Sequence, residues 1–373
     1  MPRRTEKDPG PARQTKHPVA VLYGAVSPQA GLADQDTVEQ VRCISEALLG
    51  MGYPVVVLSM DLRLEVIRDR LTSVRPRLVF NLVESINGRD ALLPLAPLLL
   101  DSLAIPYTGG SLVALVSTGN KLEAKRIMSL AGIPTPEHCL QGQEAPSQGS
   151  WIIKSVFEQA SFGLDSDAVT RNPSQVPDLL ARKKSSHRGE WFAEKYIPGR
   201  EFNVSLLASA EGVEVLPLAE IRFHGFPKGR PRIVGYRAKW DTESPEYKGT
   251  VRCFDFSAED QPLLGLLAGI SRECWRVFGL TGYARVDFRV DEQGRPWVLE
   301  INSNPCLAPD AGFVAAASRA GLNYAGLIER IVKAATIKSS IKKPASSGHS
   351  AALEPQLADL SQSSDHVQYQ ENS

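Results

Sequence analysis

The chain has 373 residues, of which 43% are hydrophobic and 23% charged, and this length is enough for two or three domains with buried cores. Its 42 Lys and Arg residues balance 42 Asp and Glu residues, which argues against a general nucleic-acid binder and against an electrostatically anchored membrane protein. No run approaches the roughly 18 apolar residues of a membrane-spanning helix. The five cysteines are widely spaced and form no CxxC pair, which disfavours a disulfide scaffold or a zinc site and favours a cytoplasmic location.

Strands and helices alternate along the first part of the chain. Continuous apolar runs predict buried strands at 19–23, 55–58 and 78–83. Helices are predicted between these strands, and Asp36 with Glu39 resembles the capping box at the start of the first helix. The alternation predicts an α/β domain with an open parallel sheet and crossover helices, ending near Gly119.

The remainder of the chain has strands in runs mixed with helices, which is the pattern of α+β domains. The predicted strands are 151–156, 191–197, 283–290 and 297–302, and the predicted helices are 121–131 and 263–278. Residues 1–17 are rich in Pro, Lys and Arg, and residues 337–373 are rich in Ser, Gln and Lys with almost no aromatic side chains. Both ends are therefore predicted to be disordered tails.

Two polar pairs lie in the strands nearest the C-terminus. Side chains alternate between the faces of a strand, so Arg285 and Asp287 share a face, as do Glu300 and Asn302. A symmetric antiparallel hairpin about a tight turn at Gln293-Gly294 places Asp287 opposite Glu300 and Arg285 opposite Asn302. Directly opposed residues have β-carbons about 5 Å apart. One sheet face would then carry two carboxylates, a carboxamide and a guanidinium.

This arrangement has two explanations. Two carboxylates so close repel each other unless a positive charge lies between them, and Mg²⁺ prefers such oxygen ligands together with substrate phosphates. A solvated hairpin with mixed charges is the other explanation. The apolar neighbours of Asp287 and Glu300 in both strands keep the metal site under consideration.

Two lysines are further candidates for an anion site. Lys154 lies in an otherwise apolar strand, where a buried ammonium needs an anionic partner, and a loop of small residues follows it at 159–163. Lys121 begins a helix, and each lysine alone is also compatible with an ordinary surface position. Together with the carboxylates they indicate a nucleotide triphosphate–metal site. The motifs GxxxxGK[ST], GxGxxG, HExxH and GxSxG do not occur, which disfavours a P-loop, a Rossmann site, a metalloprotease and a serine hydrolase.

An ordered series of motifs resembles the D-alanine–D-alanine ligases of the ATP-grasp superfamily. It runs through VAVLYG, FNLVE, IPYTGG, NKLEAKRIMSLAGIPTP, IIKSVFEQASFG, EKYIPGREFNVSLL, LPLAEI, YRAKW, ARVDF and LEINSNP. The resemblance implies an α/β plus α+β fold in which a pre-ATP-grasp domain (18–118) precedes a central (119–198) and a C-terminal (199–336) ATP-grasp subdomain. ATP would bind between the two subdomains.

The resemblance also assigns nucleotide-binding roles by position. Lys121 and Lys154 match the lysines that contact the phosphates, and Ser161 and Gly163 fall in the flexible loop over them. Four residues match the segment that binds the nucleoside: Glu194, Lys195 and Ile197 for adenine, and Glu201 for the ribose hydroxyls.

The catalytic roles implied by the resemblance fall on the hairpin and two loops. Arg285 matches the arginine that steadies the transferred phosphoryl group and the tetrahedral intermediate, Lys239 matches a phosphate-contacting lysine, and Ser161 completes the expected catalytic set. Three residues match the metal ligands: Asp287, Glu300 and Asn302. The implied cofactors are ATP and two Mg²⁺ ions, with Mn²⁺ as the alternative metal.

The positions that bind amino acids in the family differ here. Six residues depart from its pattern: Gln29 for a glutamate, Glu84 for a histidine, Ala160 for a serine, Trp240 for a tyrosine, Cys306 for a glycine and Ala311 for a serine. Asp36, Glu84 and Asp310 are candidates for a more acidic acceptor site that takes an amine or a basic amino acid. Solvated loop carboxylates are the alternative explanation.

The implied activity is ATP-dependent ligation of a carboxylate to an amine through an acylphosphate, with D-alanine dipeptide formation for peptidoglycan as the leading case. The alternatives are a ligase for other amino acids or small carboxylates, and a nucleotide-binding protein that has lost ligation. Small amino-acid-like molecules are the expected partners, with neither nucleic acid nor membrane, and the family suggests a homodimer.

Overall fold

A three-stranded parallel sheet forms the N-terminal part of a computed structural model that describes residues 17–26, 32–143, 148–158, 161–226 and 229–341. The strand order is β2-β1-β3. The strands are β1 (Val19–Gly24), β2 (Val55–Met60) and β3 (Leu78–Leu82), and the helices are α1 (Leu32–Gly50), α2 (Leu64–Val74), α3 (Leu95–Ser102) and α4 (Leu112–Gly119). The predicted parallel sheet is confirmed.

Both faces of this sheet are covered, which explains why β1 is continuously apolar. Val21 belongs to a core that includes Ile44 of α1, whereas Leu22 belongs to a second core with Leu71 of α2. All four of these side chains are fully buried. Alternate side chains of one strand therefore stabilise two helix layers.

Helix α1 is described from Leu32, so it begins before the predicted capping box. Asp36 lies inside the helix, and the Glu39 carboxylate accepts hydrogen bonds from the Arg42 guanidinium. The capping-box prediction is therefore wrong. Acidic residues also occur inside helices, where they form ion pairs with basic residues three or four positions away.

The central part carries a four-stranded antiparallel sheet with the order β4-β7-β5-β6. Its elements are α5 (Lys121–Leu130), β4 (His138–Leu140), β5 (Trp151–Ser155), β6 (Val169–Thr170), α6 (Val176–Ser186) and β7 (Trp191–Lys195). Helix α6 packs on one face of the sheet through Leu179 and Leu180, against Trp151 and Ile153. The opposite face of this sheet lines a cavity.

The C-terminal part has a larger antiparallel sheet with the order β11-β10-β8-β12-β13, and β9 pairs with β8. The strands are β8 (Arg200–Ser209), β9 (Gly212–Val215), β10 (Ala219–Phe223), β11 (Thr250–Cys253), β12 (Tyr283–Val290) and β13 (Pro296–Asn302). The helices are α7 (Tyr236–Trp240), α8 (Pro245–Gly249), α9 (Gln261–Val277), α10 (Gly312–Arg319) and α11 (Tyr324–Ile341). Antiparallel sheets with separate helices confirm the predicted α+β character.

The N-terminal part is joined to the loop that follows β13. Gly110 donates its N–H to the Ser303 carbonyl at 3.1 Å, and the hydroxyls of Thr118 and Ser303 lie 2.8 Å apart. The backbones of Gly109 and Gly282 pass so closely that a Cβ on Gly282 would lie 3.1 Å from the Gly109 nitrogen. Glycine is required there because both residues also have positive φ angles.

The last helix returns to the N-terminal part. Leu327 and Ile331 of α11 belong to the same core as Ile44 of α1. Because α11 is described through Ile341, regular structure continues past the predicted start of the C-terminal tail at residue 337. In the part of the chain that the structure describes, no helix is both long enough and apolar enough to cross a membrane.

Candidate active site

The β12–β13 hairpin carries the four polar residues that the sequence places on one face. Asp287 pairs with Glu300 and Arg285 pairs with Asn302, as predicted. The predicted two-residue turn is wrong: the Asp291 N–H binds the Arg295 carbonyl, and Gly294 adopts φ +77° within a three-residue loop. An irregularity in the pairing beyond Asp287 offsets the longer turn and restores the predicted register at the site.

Hydrogen-bond donors surround the Asp287 carboxylate. Arg285 donates from Nε to Oδ1 and from Nη2 to Oδ2, both at 2.7 Å. Asn203 of β8 donates to Oδ1 at 2.8 Å, and Asn302 donates to Oδ2 at 3.2 Å. Since a carboxylate accepts about four hydrogen bonds, a cation that binds Asp287 must displace one of these donors.

Glu300 is the more accessible carboxylate. The Lys121 ammonium lies 4.0 Å from Glu300 Oε2. Burial opposes ionisation, but the charges of Lys121, Lys154, Arg285 and Lys239 lower the pKa of Glu300 to about 2. Glu300 is therefore ionised at neutral pH and points into a strongly positive region.

These oxygen donors fit Mg²⁺. Two carboxylates and a carboxamide meet on one face, and the nearby lysines supply positive charge for a phosphate ligand. Among residues 17–26, 32–143, 148–158, 161–226 and 229–341, no group of three or more His, Cys, Asp or Glu side chains could hold a metal ion. A magnesium ion here would complete its coordination with oxygens of a bound ligand.

The opposite wall is built from β5, β7 and the start of α5. The Lys154 Nζ lies 2.7 Å from Glu194 Oε1, and Lys125 forms an ion pair with Glu194 Oε2. Lys121 Nζ donates to the Glu158 carbonyl at 2.9 Å. Burial lowers the pKa of Lys121, whereas the charges of Glu194 and Glu300 outweigh burial and raise the pKa of Lys154.

A cavity of about 620 Å³ separates the two walls. Of the thirteen predicted site residues, the following line it: Lys121, Lys154, Ser161, Glu194, Lys195, Ile197, Glu201, Lys239, Arg285, Asp287, Glu300 and Asn302. Gly163 does not line the cavity, because a Cβ at this position would lie 2.6 Å from the Trp191 ring and its carbonyl accepts from Lys183. Its placement does not match the predicted phosphate contact.

Two loops meet over the cavity. The Ser161 hydroxyl donates to the Val234 carbonyl at 2.7 Å, and the Tyr236 N–H donates to the Leu164 carbonyl at 2.9 Å. Ser161 has φ +62°, an uncommon backbone conformation for a residue other than glycine. Lys239 follows in α7, with its ammonium 5.6 Å from the centre of the Trp240 ring. The loop with Ser161 and the loop with Lys239 are thus hydrogen-bonded to each other.

The end of the cavity near β7 and β8 contains a cross-strand ion pair. Glu201 of β8 lies opposite Arg289 of β12, and Arg289 Nη2 is 2.8 Å from Glu201 Oε2. Burial raises the pKa of Glu201, and the Arg289 charge opposes this shift. Lys195 is more exposed and lies 3.5 Å from Glu137, while the Ile197 side chain is buried.

The acidic residues singled out in the sequence converge at the other end of the cavity. Gln40 donates from Nε2 to Glu84 at 3.2 Å and to Asp36 at 3.4 Å. Burial and the nearby Asp310 charge raise the pKa of Asp36. The Cys306 thiol donates to Asp36 at 3.0 Å, and burial beside Glu84 and Asp36 raises the pKa of Cys306, so it is not an activated nucleophile.

Two other departures from the family pattern, Ala311 and Trp240, line the cavity. Ala311 lines the cavity and caps α10 without a side-chain hydrogen bond, and Trp240 lines the cavity beside Lys239. The substitutions at Gln29 and Ala160 lie outside the described residues.

Sequence reasoning missed four side chains that organise the site: Gln40, Lys125, Asn203 and Arg289. Arg289 could have been found by continuing the alternation of Arg285 and Asp287 along β12. Lys125 lies one helical turn after Lys121 on the same helix, which gave a local signal. Gln40 binds Glu84 from 44 residues away and Asn203 binds Asp287 from 84 residues away, so no short-range pattern reveals these two contacts.

Comparison with known proteins identifies the family. The family model described as "D-ala D-ala ligase C-terminus" matches residues 145–333. The chain is 31% identical over 314 residues to the uncharacterized protein y4sG of Sinorhizobium fredii, covering 83% of this chain and 88% of the relative. It is 30% identical over 326 residues to the D-alanine–D-alanine ligase of Gloeobacter violaceus, covering 84% of this chain and 98% of the relative.

A solved structure shares the fold. It is the D-alanine–D-alanine ligase from Bacillus anthracis complexed with ATP, with a TM-score of 0.68, 18% sequence identity, and coverage of 88% of this chain and 100% of that chain. The family match and the sequence relatives establish membership independently of this likeness. The chain therefore belongs to the D-alanine–D-alanine ligase family of ATP-grasp ligases.

Proposed function

We propose that this protein joins a carboxylate to an amine through an acylphosphate, with ADP and phosphate as products and two D-alanine molecules as the leading substrate pair. The observation that carries the proposal is one cavity in which Arg285, Asp287 and Glu300 face two lysines, the buried Lys121 and the partly buried Lys154. Relatives of this chain that are named D-alanine–D-alanine ligases support the same reaction.

The first step transfers the γ-phosphoryl group. A substrate carboxylate oxygen attacks the γ-phosphorus of ATP, the bond to the β–γ bridging oxygen breaks, and ADP leaves. Such transfer requires positioning and charge stabilisation more than covalent participation by the protein. Lys121 and Lys154 neutralise the triphosphate, and Arg285 stabilises the transferred group.

The metal would be held by Asp287, Glu300 and Asn302. When bound, Mg²⁺ neutralises phosphate charge and orients the triphosphate. Arg285, Asn203 and Asn302 all donate to the Asp287 oxygens in the structure, so one of these donors would have to move if a cation bound there. An Arg285 guanidinium released from Asp287 would be free to bind a phosphate oxygen.

The second step forms the carbon–nitrogen bond. The neutral amine of the second substrate attacks the acyl carbon, and the tetrahedral intermediate collapses with loss of phosphate. The amine proton leaves with solvent or phosphate. Water must be excluded meanwhile, because it would hydrolyse the acylphosphate, and the hydrogen-bonded loops of Ser161 and Val234 supply that cover.

The nucleoside would occupy the end of the cavity near β7 and β8. Lys195 and Ile197 follow the buried Glu194 along the segment proposed to bind adenine, and Glu201 is the proposed ribose ligand. The Arg289 ion pair supports this role because it keeps the Glu201 carboxylate in place. Use of ATP also supports a cytoplasmic location.

A second candidate is ligation of a different amino acid or small carboxylate. Asp36, Glu84 and Asp310 line one end of the cavity, which favours a substrate with an additional positive charge over a plain alanine.

ADP release from the purified protein, measured with D- and L-amino acids singly and in pairs, tests both candidates. Stimulation by D-alanine alone supports the leading case, and stimulation by a basic amino acid or another pair supports the second. ATP binding without any stimulated turnover contradicts ligation and identifies a nucleotide-binding protein.

A further inference from the structure

Lys125 is a buried lysine outside the cavity. Its side chain is 1% exposed, although it lies only one turn after Lys121 on α5. Lys125 Nζ donates to the Thr135 hydroxyl at 2.8 Å and pairs with Glu194 Oε2, while the Thr135 hydroxyl donates to the Val298 carbonyl of β13 at 2.9 Å. Lys125 thus connects α5, β7 and the strand that carries Glu300.

Glu194 divides its two oxygens between two lysines. Oε2 binds Lys125, and Oε1 binds Lys154, whose ammonium lines the cavity. The three side chains are almost completely buried, so their charges act on one another and on a nearby anion with little screening by water. Two ammonium groups and one carboxylate leave the triad with one net positive charge.

Without Lys125, this balance would change. Glu194 would be left with Lys154 alone, and the pair would be neutral as seen from the cavity. Both Glu194 oxygens would then compete with a bound phosphate for the Lys154 ammonium. Lys125 therefore determines how much positive charge Lys154 presents to an anion without touching that anion itself.

We propose that Lys125 is a positioning residue for the nucleotide phosphates: it binds one oxygen of Glu194 and so leaves the ammonium of Lys154 available to the triphosphate. This inference rests on the proposed function, because it assumes that Lys154 contacts ATP. It adds a residue from outside the cavity and a charge relationship that predicts the order of affinities in a set of variants.

The test is a charge cycle on Lys125 and Glu194. The dissociation constant of magnesium–ATP is measured by calorimetry, without amino acids, for wild type, Lys125→Met, Glu194→Gln and the double variant, together with each melting temperature. The triad charge is +1 in wild type, 0 in Lys125→Met, +2 in Glu194→Gln and +1 in the double variant. We expect Lys125→Met to bind about tenfold more weakly than wild type and the double variant to recover most of that loss.

Thr135→Val is the matched control. It removes the hydroxyl that binds Lys125 and the Val298 carbonyl but leaves all three charges, so it should lower the melting temperature and change ATP affinity by less than about twofold. A double variant that binds no tighter than Lys125→Met would overturn the proposal, as would an equal loss of affinity in Thr135→Val.

Two further results separate the possible failures. If Lys125→Met does not fold, Glu194→Gln and the double variant are compared directly, and equal affinities overturn the proposal. If wild type itself does not bind magnesium–ATP, the proposed function fails before the role of Lys125 is reached.

Discussion

Arg285 binds both oxygens of the Asp287 carboxylate from the same face of β12, through two hydrogen bonds of 2.7 Å. The nearby carboxylates Asp287 and Glu300 raise the pKa of Arg285 despite its burial, so the guanidinium is always charged. In the proposed reaction Arg285 would exchange the Asp287 carboxylate for a phosphate oxygen of the substrate. The ion pair with Asp287 therefore holds the Arg285 side chain at the site before ATP binds.

Replacing Arg285 tests its proposed catalytic role. Arg285→Met keeps much of the apolar volume and removes the charge, so we expect kcat to fall about 100-fold or more, with a smaller change in KM for ATP. Steady-state ADP release checks this. Arg295→Met, in the exposed turn of the same hairpin, is the control and should behave as wild type. An unchanged kcat in Arg285→Met would remove Arg285 from the mechanism.

Replacing Glu300 tests the metal assignment. Glu300→Gln keeps the shape but removes the accessible carboxylate, so we expect magnesium-dependent turnover to be lost while the circular dichroism spectrum is retained. Glu292→Gln, on the exposed turn of the same hairpin, is the matched control and should retain full activity. Magnesium titration of both variants is the measurement, and activity in Glu300→Gln at ordinary magnesium concentrations argues against the assignment.

The lowered pKa of Glu300 predicts a pH dependence of stability. Its folded-state pKa of about 2 lies below the ordinary value of 4.5, so its stabilising contribution is present above pH 4.5 and is lost as the pH falls toward 2. The free energy of unfolding of wild type should therefore decrease more steeply between pH 5 and pH 3 than that of Glu300→Gln. Urea titrations across this range provide the comparison, and parallel curves would contradict the electrostatic account.

The contact between the two loops predicts coupling of ATP use to product formation. Ser161→Ala removes the hydrogen bond to the Val234 carbonyl, which is worth about 1 kcal/mol, so we expect several-fold more ADP released per ligated product. Ser185→Ala, which loses an exposed helix hydrogen bond in α6, is the control. The ratio of ADP to product is the readout, and an unchanged ratio in Ser161→Ala would show that this contact does not exclude water.

Much of the site followed from local sequence. Strand alternation placed Arg285 with Asp287 and Glu300 with Asn302, and the hairpin register brought the pairs together as predicted. That register came from a turn that does not form: a longer loop at Asp291–Arg295 and a later irregularity in the pairing offset each other. Turn geometry depends on the backbone of Gly294, which residue type alone does not determine.

Long-range contacts account for what sequence could not predict. Glu194 matches the adenine-binding segment in sequence, and this match gave no indication that its carboxylate would be buried. In the structure that carboxylate forms ion pairs with Lys125 and Lys154. Gly163 belongs to the predicted loop, yet packing against Trp191 turns it away from the cavity. Both outcomes depend on which elements pack together, and such contacts join residues 20 to 69 positions apart.

The most direct test of ligation through an acylphosphate uses an amino-acid substrate labelled with ¹⁸O in its carboxylate. Attack of that carboxylate on ATP moves one labelled oxygen into the phosphate that is released when the amine displaces it. With the substrate that stimulates ADP release, we therefore predict one ¹⁸O atom per phosphate, measured by mass spectrometry. Phosphate without label would mean that water attacks ATP, and this would contradict the carboxylate–amine ligase.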